Sequence, residues 1–395
     1  MPTMKQKVDR IEVARQNIIT SINNKGVVVA SDAGIETLAG KVDDIQQGGG
    51  QENEFMTSTD LSYMFYYKNL NDSKNKAGIQ RFAQNNITKV SHTFEGASDT
   101  DVTDTDIITY LSQLLNKTTI TDAEYALSRF SPYNSNIYNK TLDLSNMKIN
   151  GSVAYMFQSA GGNNGTLKVK LRSDAFDLAT NCSYLFSSAY AGLQVQLNEP
   201  KLYFRNTTNM QHALRMNSTY AFKDYNDDPI TELDVYFNPN NTYGMGYLFS
   251  GMKGVQRLHL HNTEKCTSFT DAFNAYDLKS IDGIDFSGMT TVGNIFGTSS
   301  GRFGNLGEFG IVNGSNLGQA PVNNGLNLKV IWRGNKSTII DGQTIEYWYE
   351  KFANALGNAA INGQTITIYT ALYNSLTQAQ KELITDKGYT LASAS

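Results

Sequence analysis

Val153-Ala154-Tyr155-Met156-Phe157 is followed 29 residues later by Cys182-Ser183-Tyr184-Leu185-Phe186, and the same phrase recurs along most of the chain. Earlier copies are Leu61-Ser62-Tyr63-Met64-Phe65 and Val90-Ser91-His92-Thr93-Phe94; later ones are Met245-Gly246-Tyr247-Leu248-Phe249, Phe269-Thr270-Asp271-Ala272-Phe273 and Val292-Gly293-Asn294-Ile295-Phe296. Degenerate copies fit around Tyr125 to Leu127 and around Met210 to Leu214. Counted from the Phe or its stand-in, the steps run from 23 to 35 residues. A recurrence on that scale signals stacked repeats with loop insertions. Between the phrases lie alternating pieces that read as strands: Leu142-Asp143-Leu144, Leu167-Lys168-Val169-Lys170-Leu171, Leu233-Asp234-Val235-Tyr236-Phe237, Leu258-His259-Leu260 and Ile284-Asp285-Phe286.

Each repeat is thus predicted to be a short helical turn that holds Met/Leu-Phe inward, plus a strand. One such unit cannot bury its own apolar face, but a stack can. The expected fold is an α/β repeat solenoid over residues 55–325. Its parallel strand ladder is backed by a spine of Phe65, Phe94, Phe157, Phe186, Phe249, Phe273 and Phe296. Tyr63, Tyr155, Tyr184 and Tyr247 each precede the spine residue by two and read as scaffold, with rings packed and hydroxyls wet. Residues 297–325, rich in Gly and Asn, read as a long loop closing the array.

On the N-terminal side, Val8, Ile11, Ala14, Ile18 and Ile22 fall three and four apart, the spacing of one helical stripe. Gly26 ends that helix, and Ser31 and Asp32 offer caps for a second one carrying Ile35, Leu38, Val42 and Ile45. Narrow stripes on residues 1–46 cannot bury much alone. They predict a helical anchor and self-association surface on Val8, Ile11, Ile18, Ile22, Ile35 and Leu38, as a dimer or trimer or against a docking protein. The alternative is that this segment folds back onto the repeats. A Gly/Gln linker, 47–54, follows.

Residues 326–395 read as a small α/β cap. The expected order is a strand at 328–332, a helix at 344–356, a strand at 365–369, and a second helix capped by Thr377 with Gln380 in capping-box position. That helix ends before Gly388, and a strand at 389–391 closes the unit. Such a unit would cover the open end of the stack.

The repeats resemble the BspA-like leucine-rich repeats of bacterial surface proteins, in a divergent array of irregular spacing. The match rests on the Met/Leu-Phe turn followed by Leu-x-Leu-Ser/Asn, as in Val153 to Phe157 and in Leu142-Asp143-Leu144-Ser145-Asn146. The head, with Lys25-Gly26-Val27-x-Val29 followed by Ile35, Leu38 and Ile45, is similar to a module of phage tail and fibre proteins. The end, with Leu376-Thr377-x-x-Gln380 and Lys387-Gly388-Tyr389-Thr390, resembles a unit that follows such repeats in phage virion proteins. The resemblance implies a bacteriophage structural protein of a tail, baseplate or fibre, and hence a virion location. It implies attachment to other virion proteins through the N-terminal helices and display of the repeats toward a host-surface glycan or protein. A capsid-attached head fibre or decoration protein, and a bacterial surface adhesin, are the alternatives.

Composition narrows the remaining classes. The net charge of -4 and the absence of a basic patch argue against nucleic acid as a partner. No apolar run of membrane-spanning length and no signal peptide are visible, so membrane insertion is not expected and synthesis in a host cytoplasm is. Cys182 and Cys266, each beside an apolar repeat position, read as buried thiols. No phosphate loop or zinc motif occurs, so neither a cofactor nor a metal is expected. His259 and His261 face the same way on one strand, with Cys266 five residues on; they read as an exposed, candidate ligand surface rather than a metal site. Asp99, Asp101, Asp104 and Asp106 read as a helix cap plus solvated loop rather than a calcium loop. Asp227, Asp228, Asp234, Asp282 and Asp285 are acids without a catalytic pattern, and Asp143, Asp234 and Asp285 would line up along one ladder. No catalytic residue is assigned, and the chain is read as non-enzymatic.

Overall fold

The repeated phrase folds as a turn whose amides alternate in direction. In the copy around Phe157, the N–H groups of Val153, Tyr155, Phe157 and Ser159 donate to carbonyls of Asn181, Ser183, Leu185 and Ser187 in the next copy, at 2.9 to 3.0 Å. The intervening N–H groups of Met156, Gln158 and Ala160 close locally on Val153, Tyr155 and Phe157. Every amide of the turn is therefore satisfied, half along the stack and half within the turn, as buried backbone requires. The alternation depends on left-handed residues: φ is +60° at Tyr155 and +54° at Ser159. The same pattern recurs in the copies at Phe65, Phe94, Leu127 and Phe249.

In the computed structural model, residues 12, 15–16, 18–19, 58–99, 106–132, 139–161, 166–187, 193–216, 222–275, 277–290, 295, 306–313, 327–329, 332–359 and 364–394 are described. They form an α/β protein with several parallel sheets and few helices. Contacts divide the chain into two compact units, 1–59 and 60–395. In the first unit, positions 12, 15–16 and 18–19 are helical, with Arg15 paired to Glu12 at 2.6 Å. There Ile18 is 44% exposed, while its neighbour Ile19 is buried. The other expected anchor residues, Val8, Ile11, Ile22, Ile35 and Leu38, lie outside the described residues.

In the second unit, helices α1 (Ser73–Phe82) and α2 (Asp106–Leu115) come first; the Asp72 side chain caps α1, and Lys76 pairs with Asp106 at 3.0 Å. The longer strands follow as β1 (Asn139–Leu144), β2 (Thr166–Leu171), β3 (Leu193–Leu197), β4 (Lys201–Tyr203), β5 (Phe222–Asp224), β6 (Glu232–Tyr236), β7 (Arg257–His261), β8 (Ser280–Asp285) and β9 (Glu308–Asn313). They make two parallel sheets, in the orders β1-β2-β3-β5 and β4-β6-β7-β8-β9. The expected single ladder is thus two. The chain leaves the first sheet after β3 at Asn198-Glu199-Pro200 to form β4, returns to it as β5, and leaves it again before β6. The expected line-up of Asp143, Asp234 and Asp285 does not form: Asp143 lies in the other sheet, and Asp234 is in register, through His259, with Asp282 rather than Asp285. A second difference is β9, which lies inside the stretch expected to be a loop; it pairs with β8 because Phe309 is buried on the core side.

The spine is buried throughout the described copies: Phe65, Phe94, Phe157, Phe186, Phe249 and Phe273 are at most 4% exposed, as are Leu127 and Leu214 in the degenerate copies. Rings stack as pairs, Phe65–Phe94 and Phe157–Phe186 at 5.3 Å and Phe249–Phe273 at 5.8 Å, and the two leucines separate the pairs. Phe296 lies outside the described residues, although the Phe273 N–H reaches the carbonyl of Ile295.

The C-terminal segment follows its sequence pattern closely. β10 (Asn327–Lys329) pairs with β11 (Thr365–Tyr369), which pairs with β12 (Thr390–Ala394). Helix α3 (Ile345–Ala355) starts at the Thr344 cap, and after the short α4 (Thr370–Ser375), α5 (Gln378–Thr385) carries the full Thr377/Gln380 capping box. Phe352 of α3 lies 5.6 Å from Phe309 of β9, and the Trp332 indole donates to the Gly307 carbonyl at 2.9 Å. Aromatic groups of this segment therefore cover the last strand of the second sheet. Among the described residues, no helix is long and apolar enough to cross a membrane.

Candidate functional site

The left-handed position of each turn carries a ring, and the rings stack. Tyr63, His92, Tyr125, Tyr155, Tyr184, His212 and Tyr247 have φ between +54° and +63°. Consecutive centroids are 4.4 to 4.7 Å apart, with planes within 18° of parallel. Placing a side chain at positive φ costs about 1–2 kcal/mol. An aromatic pair returns about 0.5–1.5 kcal/mol beyond its burial. The two are of the same order, so the row is sustained by its own stacking and by the amide ladder beneath it. It ends at Tyr247, because Asp271, at φ +49°, takes the ring position of the next turn. The tyrosine list drawn from sequence omits His92, Tyr125 and His212, which hold the same place two residues before the spine.

His212 is the most buried member of the row. Burial, reinforced by the nearby Arg215 cation, depresses its pKa to about 4. A histidine whose folded pKa lies below its unfolded value stabilises the fold above about pH 6.5, and that stability is lost as pH falls toward 4. Replacing it with the ring used elsewhere in the row, His212→Tyr, is expected to preserve the stack and lessen the fall in melting temperature between pH 7 and pH 4.5. Equal falls in the two proteins would reject this account.

The two sheets present different outward faces. Over the first sheet the chain lays its own segment 224–230. The Tyr225 hydroxyl donates to the Leu171 carbonyl at 3.1 Å, and Asp227 receives Lys168 and Lys223 at 3.0 and 3.2 Å and the Gln196 amide at 3.1 Å. The Lys168 bond leads the contacts that lower the pKa of Asp227. Asp227 is therefore a pin, and Asp228 contributes its carbonyl to the same turn. Asp143 and Asp285 accept the amides of Ser145 and Ser287, two residues on, and so shape the exits of β1 and β8.

On the second sheet, the outward side chains of β6, β7 and β8 meet each other. Tyr203, Tyr236 and His261 stack at 4.7 and 4.1 Å, with Arg205 lying 4.9 Å from the outer Tyr203 ring. His261 Nε2 lies 2.7 Å from Asp234, while His259 has Asp282 at 2.8 Å from Nδ1 and Glu232 at 2.7 Å from Nε2. Burial opposes charge on His259, but its bonds to Asp282 and Glu232 outweigh it and raise the pKa. The alternation seen in the sequence thus places His259 and His261 on one face, and it also gathers Glu232, Asp234 and Asp282 there.

Other sequence candidates fall elsewhere. Cys182 and Cys266 are fully buried, and burial pushes both thiols up to about 12. Asp101 and Asp104 lie outside the described residues, and among the described residues no group of three or more His, Cys, Asp or Glu side chains could hold a metal ion. No protein-family model, curated protein or solved structure matches the chain.

Proposed function

We propose that this chain is a structural component of a bacteriophage particle, a tail, baseplate or fibre protein. In this reading residues 1–46 anchor it to other virion proteins and associate two or three copies. The repeated turns form a divergent leucine-rich-repeat solenoid displayed toward the host surface. The observation that carries the reading is the register of the turns, in which successive copies of one phrase bond to each other amide by amide. An extended array of that kind suits weak contacts multiplied along a surface and by copy number. The half-exposed tyrosines and histidines outside β4, β6 and β7 supply rigid polar contact groups for a glycan or protein. No chemical step is assigned to the chain. The likeness of the head and end to virion modules supports the placement in a particle.

The test uses particles from cells carrying this gene. Antibodies raised against residues 60–395 are expected to label the tail region in electron micrographs. Labelling of the capsid instead would favour a head fibre or decoration protein. Particles free of label, with the chain on the bacterial envelope, would favour an adhesin and end the virion reading. Sedimentation of the full chain is expected to give a dimer or trimer.

A further inference from the structure

A neutral imidazole has one N–H donor and one lone pair. Around His259 both ring nitrogens face carboxylate oxygens, at 2.7 and 2.8 Å. A lone pair pressed against a carboxylate at that distance is repulsive, so the geometry is that of an imidazolium donating twice. Its partners sit on the strands to either side, Glu232 on β6 and Asp282 on β8, so one proton ties three adjacent strands.

What stands beside this tie gives it a consequence. Glu232 is the register partner of Arg257 on β7, and Arg257 reaches out of the sheet to Asp341 at 2.6 Å. Asp341 joins the two strands of the hairpin Ile339–Ile340 and Gln343–Thr344, which runs directly into α3. While His259 holds Glu232, Arg257 is left to Asp341. Once His259 is neutral, Nδ1–H can stay on Asp282, and Glu232, the more exposed of the two acids, is left beside Arg257 as a rival to Asp341. Among the described residues, the other charged groups facing the site are Asp234 of β6, His261 of β7, and Lys351 of α3, which pairs with Glu308 of β9. Lys351 is already committed to Glu308 and packs over Trp348, so Arg257 is the cation placed to change partner.

We propose that Glu232–His259–Asp282 is a proton-operated latch, which when protonated keeps Arg257 on Asp341 and the 339–344 hairpin docked to the second sheet, and when deprotonated releases it. The sign follows from the raised pKa of His259: the latched state is complete below about pH 6.5 and is lost as pH rises through the higher folded value.

The full chain is titrated from pH 5.5 to 9.5. Imidazole resonances of His259 report its charge, and amide exchange of residues 336–346, corrected for intrinsic rates, reports the hairpin. The expected result is a His259 midpoint above 6.5 and hairpin exchange that quickens at least threefold across that midpoint. Glu232→Gln removes the charge that stabilises the imidazolium and the rival for Arg257. It is expected to lower the midpoint by at least half a pH unit and abolish the exchange response. His259→Gln is expected to exchange at the fast rate at every pH. A His259 midpoint at or below 6.5, or hairpin exchange indifferent to pH in a folded wild-type chain, overturns the latch.

Discussion

Phe157→Ala is expected to destabilise the 60–395 unit by about 3–5 kcal/mol, the range for truncating a fully buried aromatic ring. Phe157 is completely buried and lies 5.3 Å from Phe186, in a stack in which the backbone of each turn bonds to the turns beside it. Its N–H is fixed to Leu185 and its turn is fixed by Tyr155 stacked on both sides, so the surroundings cannot collapse into the space left. The control is built into the chain. Leu127 and Leu214 occupy the same place in their turns and are equally buried, so Phe157→Leu is expected to cost about 1 kcal/mol, as a partly compensated change of volume and shape. Urea unfolding of the three proteins separates the cases. An alanine variant within about 1 kcal/mol of the wild type would mean that the phenylalanines do not form a shared spine.

That spine, the strand phrases and the C-terminal helices were legible because each rests on a local rule. A period near 30 residues, alternation by two, and the Thr377/Gln380 pair each fix an element without knowledge of its neighbours. The features that escaped depend on relations between distant residues. Leu193-Gln194-Val195-Gln196-Leu197 alternates by two yet is absent from the strand phrases above, and its place between β2 and β5 follows only from pairing with residues 26 and 27 positions away. β9 is a weak strand in composition, glycine-bearing and flanked by glycine, and it is held by pairing to β8 and by α3 packing over Phe309. At the candidate face, period two placed His259 and His261 together. Their acids come from β6 and β8, 23 to 27 residues away, and only the register pairs them. The ring row was half legible: recurrence of Tyr before Phe is visible, but the left-handed backbone that lets Tyr and His substitute for one another is not.

Gly283→Ala tests the register of the candidate face, and its expected cost is about 2–4 kcal/mol. Gly283 has φ +76° and sits where the pairing of β8 with β9 slips between Ile281 and Ile284. The slip is an extra residue on β8: it lets Ile281 and Ile284 both point inward while Asp282 and Asp285 stay on the outward side. A Cβ at Gly283 would lie 2.0 Å from the Leu260 carbonyl oxygen, which belongs to the neighbouring strand's backbone and cannot turn aside. The left-handed conformation alone costs about 1 kcal/mol for alanine, and forcing the strands apart adds about 1–3 kcal/mol. Gly342 separates these contributions. Its φ is +78°, but nothing lies within 4 Å of the Cβ it would carry, so Gly342→Ala is expected to show the conformational cost alone, about 1 kcal/mol. Because Asp282 precedes Gly283, the larger change is also expected to move Asp282 away from His259 and lower the histidine's pKa, whereas Gly342→Ala leaves it in place. Equal destabilisation by the two substitutions, measured by urea unfolding at pH 6, would show that β7 and β8 do not approach as closely at Leu260 as their pairing requires.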